Sequence, residues 1–263
     1  MGDFLAEWGL SFLIDTGEES ILFDTGKSVS ASYNFASMKI DPHRISKIVL
    51  SHGHHDHTGG LREVLRLIGH EVEVIAHPDI WAPKYSRRKG ESVRHIGVPF
   101  ARRELEHLGA RFNLTTKPVK LNENMMTTGE VPMLTAYETI EPVLFVKNGE
   151  NWQPDQLLDD QALVIKDEEG LAIVLGCAHR GMMNTIYYAQ KLTGVEKVHT
   201  VIGGSHLINA SEEQLEMTVI ALRQLHLKRL ALCHCTGFFA LSRLFTEFGD
   251  KFILTNAGTI IEL

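Results

Sequence analysis

The chain has 263 residues, 44% hydrophobic and 22% charged, enough to bury a substantial core and consistent with one large domain over residues 1–263. With 26 Lys and Arg against 33 Asp and Glu the formal charge is -7, so no global basic field exists to gather nucleic acid or anionic membrane, and neither is expected as a partner. Cys177, Cys233 and Cys235 are too few for a disulfide framework, and no apolar run approaches the length of a membrane span. The start, Met1-Gly-Asp-Phe-Leu-Ala-Glu-Trp-Gly9, lacks the charged-then-apolar pattern of a secretory signal, and Ala6 breaks the myristoylation consensus, so a reducing cytoplasm is the expected setting.

In chain order, Leu10–Asp15 and Glu19–Asp24 are two short apolar runs separated by Thr16-Gly17, which predicts a hairpin ended by Asp24-Thr25-Gly26. Lys47–Leu50 predicts a short buried strand. Leu61, Val64, Leu65 and Ile68 recur at helical spacing after it, and Glu71–Ala76 returns as a strand. From about 81 to 130 the pattern is less regular and carries Lys84, Arg87, Arg88, Lys89, Arg94, Arg102 and Arg103 around Trp81 and Tyr85. This stretch is expected as a basic insertion. It is either a solvated surface or a pocket wall in which Arg87, Arg88 and Arg94 hold an anionic or phosphorylated small substrate.

Strands are expected near Pro142–Val146, Ala162–Ile165, Leu171–Leu175, Val198–Ile202 and Arg229–Cys233, with helices between the last three. Ser211-Glu-Glu-Gln214 is a capping-box signature, followed by a stripe of Leu215, Val219 and Leu222. A last helix places Leu241, Leu244, Phe245 and Phe248 on one face, and Thr259–Leu263 is expected to close the sheet. Strands alternating with helices in both halves predict an α/β fold, two sheets face to face with helices outside, a four-layer αββα sandwich.

The chemistry concentrates in Ser51-His-Gly-His-His-Asp-His-Thr-Gly-Gly60. His52 and His54, two apart on extended backbone leaving a strand, project to one side and can share one ion. The following turn lets Asp56 and His57 face a second ion, and Gly59-Gly60 is expected to give the backbone freedom to start the next helix. Imidazole and carboxylate suit zinc first, with iron and manganese as alternatives, rather than magnesium or calcium. His55 lies between the pairs and is not expected to ligate.

Further donors stand at the ends of the later strands, in Gly176-Cys-Ala-His179, Gly203-Gly-Ser-His206 and Cys233-His-Cys235. His234 is the strongest of these candidates. His179, Cys177 and His206 are the others, with a small buried hydrophobe as the alternative for each cysteine. Asp24, Asp159 and Asp160 are candidates to orient imidazoles.

With these residues the sequence resembles the metallo-β-lactamase superfamily, whose His-x-His-x-Asp-His signature matches His52, His54, Asp56 and His57. Ile21-Leu-Phe-Asp-Thr-Gly26, Asp159-Asp-Gln-Ala-Leu163, Gly176-Cys-Ala-His-Arg-Gly181, Val201-Ile-Gly-Gly-Ser-His-Leu207 and His234-Cys-Thr-Gly237 carry a nearer likeness. It is to the branch named for 7,8-dihydropterin-6-yl-methyl-4-(β-D-ribofuranosyl)aminobenzene 5'-phosphate synthase. The resemblance implies a dinuclear centre with His52 and His54 on one ion and Asp56, His57 and His234 on the other; the middle histidine it would place before Gln161 is missing from residues 148–160, and His179 is the expected substitute on the first ion. Many relatives have Gly-Asp where this chain has Gly176-Cys177, so Cys177 stands in place of a bridging carboxylate or leaves the bridge to solvent.

The function expected first is hydrolysis of an ester or phosphoester by a metal-activated water, with Asp56 and His57 catalytic and Asp56 able to accept a proton. The alternatives are a transferase that joins a pterinylmethyl group from its diphosphate to a ribosyl aminobenzene phosphate, and a non-catalytic metal-binding protein.

Overall fold

Thr16 and Gly17 turn the chain between β1 (Phe12–Asp15) and β2 (Ser20–Phe23), which pair antiparallel with Phe12 opposite Phe23. The computed structural model describes residues 3–263; Met1 and Gly2, which open the segment read for a targeting signal, lie outside the described residues. After α1 (Ser30–Ser37), β3 (Ile45–Val49) runs parallel to β2. The single turn α2 (His55–Thr58) and then α3 (Leu61–Ile68) lead to β4 (Val72–Ala76), parallel to β3. α3 buries Leu61, Val64, Leu65 and Ile68, the four residues its spacing marks, in a core with Leu22, Ile48 and Val74. Each such side chain stabilises the fold by about 1.5–3 kcal/mol.

The stretch from about 81 to 130, expected as an irregular basic insertion, contains regular elements. β5 (Lys84–Ser86) and β6 (Arg94–His95) form a hairpin, and α4 (Arg102–His107) precedes β7 (Ala110–Leu114), which adds to β4 in parallel. β8 (Met125–Thr127) follows, and β9 (Leu144–Asn148) then pairs with both β5 and β10 (Asn151–Pro154). One compact unit, residues up to Thr116 with Glu141–Asp159, holds the five-stranded sheet β1-β2-β3-β4-β7 and the four-stranded sheet β10-β9-β5-β6.

The second unit, Lys117–Ile140 with Asp160–Leu263, continues through β11 (Leu163–Asp167), β12 (Gly170–Leu175), α5 (Met182–Thr193), β13 (Val198–Gly204), α6 (Glu212–Gln224), β14 (Arg229–Cys233), α7 (Phe238–Phe248) and β15 (Phe252–Leu254). Its six-stranded sheet has the order β15-β14-β13-β12-β11-β8, with β12 to β15 parallel. Ser211 caps α6 as expected, its Oγ accepting the Gln214 N–H at 3.1 Å. Val219 and Leu222 enter the second core, and Leu215 packs on it.

Two expectations are corrected here. Residues 259–263 form no strand; β15 takes the sheet edge because a short turn, Gly249–Lys251, delivers Phe252 beside Leu230 of β14. On α7 the apolar face is narrower than its spacing implies: Leu244 is buried and Leu241 and Phe248 pack on the core, but Phe245 is 61% exposed. Among the described residues no helix is long and apolar enough to cross a membrane.

Candidate metal centre

β3 lies between β2 and β4, so the chain leaves the middle of a sheet at its carboxyl end, where α/β folds assemble ligand sites. Extended backbone carries His52 and His54 to one side. Their rings meet edge to face with centroids 4.5 Å apart, and His52 Nε2 lies 3.0 Å from His54 Nδ1. The His57 ring stands 4.2 Å from that of His52, and Asp56 Oδ2 is 3.9 Å from His57 Nε2. His52, His54 and His57 are all buried. Two nitrogens bound to one tetrahedral zinc at about 2.0–2.1 Å stand roughly 3.3 Å apart, close to the His52–His54 spacing.

Neighbouring groups fix which nitrogen of each ring is available. Asp24, fully buried at the end of β2, accepts the Ser51 N–H at 2.7 Å on Oδ1, and the Ser51 hydroxyl donates to its Oδ2 at 2.6 Å. Because that hydroxyl proton is committed, Ser51 Oγ accepts from His52 Nδ1 at 2.9 Å, which leaves His52 Nε2 with its lone pair. His57 Nδ1 donates to Asp24 Oδ2 at 2.6 Å, which likewise directs His57 Nε2 outward as a base. By the chemistry of this donor set, two imidazole nitrogens oriented by a shared carboxylate network beside a third imidazole and a carboxylate, the residues fit a divalent transition metal.

The glycines that follow are needed for a different reason from the one their sequence suggests. Gly59 has φ -70° and Gly60 φ -83°, ordinary for any residue. A Cβ on Gly59 would meet Lys27 O at 2.0 Å, and one on Gly60 would meet Thr25 O at 2.0 Å. The requirement is close backbone approach, which lets Thr25 N donate to His57 O at 2.8 Å.

Of the three candidate orienting aspartates, Asp24 meets an imidazole directly. Asp159 Oδ2 instead accepts the N–H of Gly53, between His52 and His54, at 2.8 Å, and Asp160 Oδ2 accepts the N–H of Arg180, next to His179, at 2.9 Å. Asp159 Oδ1 also receives the buried Lys84 ammonium at 2.9 Å, and Asp155 Oδ2 receives it at 2.8 Å. Burial pushes the Asp159 carboxyl up, with Asp155 adding to the shift and Lys84 opposing it. Burial works against the charge on Lys84, but the two carboxylates outweigh it and hold the ammonium above its ordinary value.

In the second unit β12, β13 and β14 end side by side. Cys177 and His179 follow β12, His206 follows β13 and His234 follows β14. The His179 and His206 rings are 4.0 Å apart, and donor atoms of Cys177, His206 and Cys235 lie within 4.8 Å of one another. Cys235 joins the three strand ends: its Sγ accepts the His206 N–H at 3.3 Å and its thiol donates to Cys177 O at 3.6 Å. Burial opposes ionisation of Cys235, yet hydrogen bonding at Cys177 and His206 and the charges of His206 and His234 pull it well below the ordinary 9.0. The Cys233 thiol is pushed by burial up to about 11. None of the three cysteines is in a disulfide.

The turn after His179 is anchored from 138. The carboxylate of Glu138 accepts the N–H groups of Met183 and Asn184, each at 2.8 Å, and so caps α5, while burial pushes its pKa up. Nothing in the sequence marks Lys84, Glu138 or Cys235 for these roles, since each is fixed by a partner distant along the chain. Arg87, Arg88 and Arg94 are exposed on the β5–β6 hairpin, where Arg94 pairs with Glu91 at 3.4 Å.

Comparisons with known proteins agree with this chemistry. Residues 9–175 match the family model of the metallo-beta-lactamase superfamily. The chain is 34% identical to the 7,8-dihydropterin-6-methyl-4-(beta-D-ribofuranosyl)-aminobenzene-5'-phosphate synthase of Methanocaldococcus jannaschii, over 98% of this chain and 91% of the relative. A crystal structure described as a metal-dependent hydrolase of the β-lactamase superfamily superposes with a TM-score of 0.85 at 28% identity, covering 99% of this chain and 93% of the other. The zinc-bound PqqB of Methylobacterium extorquens, with a TM-score of 0.58 and 12% identity over 96% and 87% of the two chains, shares the fold. With the fold, the signature and the oriented donors in agreement, the chain belongs to the metallo-β-lactamase superfamily.

Proposed function

We propose that the protein is a metal-dependent hydrolase acting on an ester or phosphoester of a small anionic molecule. The observation that carries the reading is the fully buried Asp24–Ser51 network, which spends a carboxylate and a hydroxyl on leaving His52 Nε2 and His57 Nε2 as bases. A histidine cluster kept only for packing has no need of that arrangement. In this reading His52, His54 and His179 hold one ion, and Asp56, His57 and His234 hold the other, with Cys177 and His206 as further donors. The pair is zinc by preference, with iron or manganese as alternatives. Two such ions, when bound, would supply a lowered pKa for a water and polarisation of a carbonyl or phosphoryl oxygen.

The chain's own residues do the rest. Asp24 keeps the proton on His57 Nδ1, and Asp159 holds the Gly53 peptide so that His52 and His54 converge. An Asp56 carboxylate oxygen accepts the proton of the attacking water. Arg87, Arg88 and Arg94 hold the substrate's anionic group. A chain with three cysteines, too few for a disulfide framework, fits a reducing compartment, the cytoplasm.

A second reading is favoured by one finding, the 34% identity over 98% of the chain to the pterin synthase. There the same centre would assist departure of a diphosphate while a pterinylmethyl group is transferred to a ribosyl aminobenzene phosphate. Elemental analysis of freshly purified protein, followed by a panel of phosphoesters, carboxylic esters and the pterin diphosphate with its acceptor, separates the readings. Hydrolysis without transfer supports the first, and coupled product formation supports the second. Protein that carries no transition metal and remains inert after zinc, iron or manganese is added overturns both.

A further inference from the structure

Lys84 is 1% exposed although it opens a strand of the most basic segment in the chain. Its surroundings explain the burial. The ammonium bridges Asp155 Oδ2 at 2.8 Å and Asp159 Oδ1 at 2.9 Å. Asp155 uses its other oxygen to accept the Leu157 N–H at 2.8 Å, so the ammonium and that peptide together fix the 155–159 turn. Asp159 uses its other oxygen to accept the Gly53 N–H at 2.8 Å. An unbroken path therefore runs from Lys84 to the peptide between His52 and His54.

The stem of Lys84 packs on the same peptide. A Cβ on Gly53 would stand 3.1 Å from Lys84 Cε and 2.6 Å from Ile80 O, so the loop passes in close contact with both. On the far side the His55 N–H donates to Ile96 O at 2.8 Å, and Ile96 N donates to Lys84 O at 2.9 Å. The two feet of the β5–β6 hairpin thus grip the loop on both flanks of His54.

We propose that Lys84 is a positioning residue for the metal: through Asp159 it fixes the Gly53 peptide, and with it the directions of His52 and His54. The inference rests on the reading of those two histidines as ligands. A surface lysine would contribute long-range attraction at most, whereas this one is desolvated and spends its charge on two carboxylates. A rotation of the Gly53 peptide changes the exit vectors of both neighbouring side chains, and residues that orient ligands in this way typically alter metal affinity by about 10-fold to 100-fold when removed.

The test uses the charge-balanced double variant Lys84→Met with Asp155→Asn. It removes one positive and one negative buried charge and leaves the Asp159–Gly53 hydrogen bond available. Zinc affinity is measured by competition with a chromophoric chelator on the full chain, and thermal unfolding is followed for the metal-free form. The expected result is zinc binding weaker by about 10-fold or more at temperatures where the variant is fully folded. Wild-type affinity in the folded variant, even with a lowered Tm, overturns the inference, because a purely structural lysine would behave in that way. Wild-type protein that fails to bind zinc at all overturns the ligand reading itself. If the double variant does not fold, hydrogen exchange at the Gly53 amide of metal-free wild-type protein decides: slow exchange supports the held peptide, and exchange at the rate of an open loop overturns it.

Discussion

Asp24→Asn replaces a carboxylate with a group of the same shape, and the geometry dictates what His57 must then do. Asp24 Oδ1 accepts from Ser51 N at 2.7 Å, while Oδ2 accepts from Ser51 Oγ and from His57 Nδ1, each at 2.6 Å. An asparagine that keeps its oxygen toward Ser51 N presents an NH2 to His57 Nδ1. The imidazole relieves the donor-to-donor conflict by moving its proton to Nε2, which removes the lone pair needed for a metal. The flipped amide instead opposes the Ser51 N–H, at a cost of about 1–3 kcal/mol for the buried unmet donor. Zinc affinity should fall by about 10-fold to 100-fold, equivalent to about 1.4–2.7 kcal/mol. Chelator competition reads the affinity, and nitrogen-15 shifts of His57 read the tautomer. Affinity within about twofold of wild type, with the proton now on Nε2, would show that His57 Nε2 is not a ligand and refute the reasoning.

Three further outcomes follow from the same structure. Iodoacetamide should label Cys177 faster after chelation if the thiolate is a ligand; equal slow labelling in both states, with unchanged metal content in Cys177→Ser, would assign it to packing. Glu138 is held above its ordinary value of 4.5 by burial, so the folded state retains this proton more readily than the unfolded chain does. Its contribution is fully present below 4.5 and is lost as pH rises through the raised value. Urea unfolding of metal-free protein should therefore show Glu138→Gln gaining stability relative to wild type between acid and neutral pH, and a flat difference would contradict the assignment. Replacing Arg87, Arg88 and Arg94 with Ala should raise KM for a phosphorylated substrate far more than for its dephosphorylated analogue, and equal losses on both would give the hairpin a structural role.

The part of the centre legible in the sequence is the part that is contiguous. His52, His54, Asp56 and His57 occupy six positions after a recognisable strand, so their convergence needs only local geometry, as does the α3 stripe from Leu61 to Ile68. The contacts that hold the candidate donors reach across the chain instead: in the first unit Lys84 meets Asp159 at a separation of 75 residues and Gly53 meets Asp159 at 106, and in the second Cys235 meets Cys177 at 58. No periodicity encodes such contacts. Lys84 was hidden for a further reason, because one buried cation in a run of exposed ones has the same composition as its neighbours. Thr259–Leu263 shows the converse, an apolar run with the composition of a strand that forms none, while β15 is the edge strand beside β14.

Backbone strain gives an independent indication of where the chemistry lies, one that residue type could not supply. Among the described residues seven that are not glycine have positive φ. Lys39 and His226 each follow the last residues of a helix, α1 and α6, where a left-handed residue commonly ends the spiral. The other five do not serve that purpose. Asp24 orients His57, Leu157 lies in the turn that presents Asp159, Ala178 separates Cys177 from His179, and His206 and His234 are themselves candidate ligands. Each costs about 1–2 kcal/mol relative to a relaxed backbone, and such outliers persist where the surroundings over-determine them. At Ala178, His206 and His234 those surroundings include the Cys235 sulfur and the backbone contacts of the Gly203-Gly204 pair, where a Cβ on Gly203 would meet Leu175 O at 2.2 Å and one on Gly204 would meet Gly176 O at 2.5 Å. Three parallel strands thus end in strained turns whose common feature is an imidazole or thiol at the sheet edge. Packing alone offers no reason for that coincidence; a requirement to aim donors does.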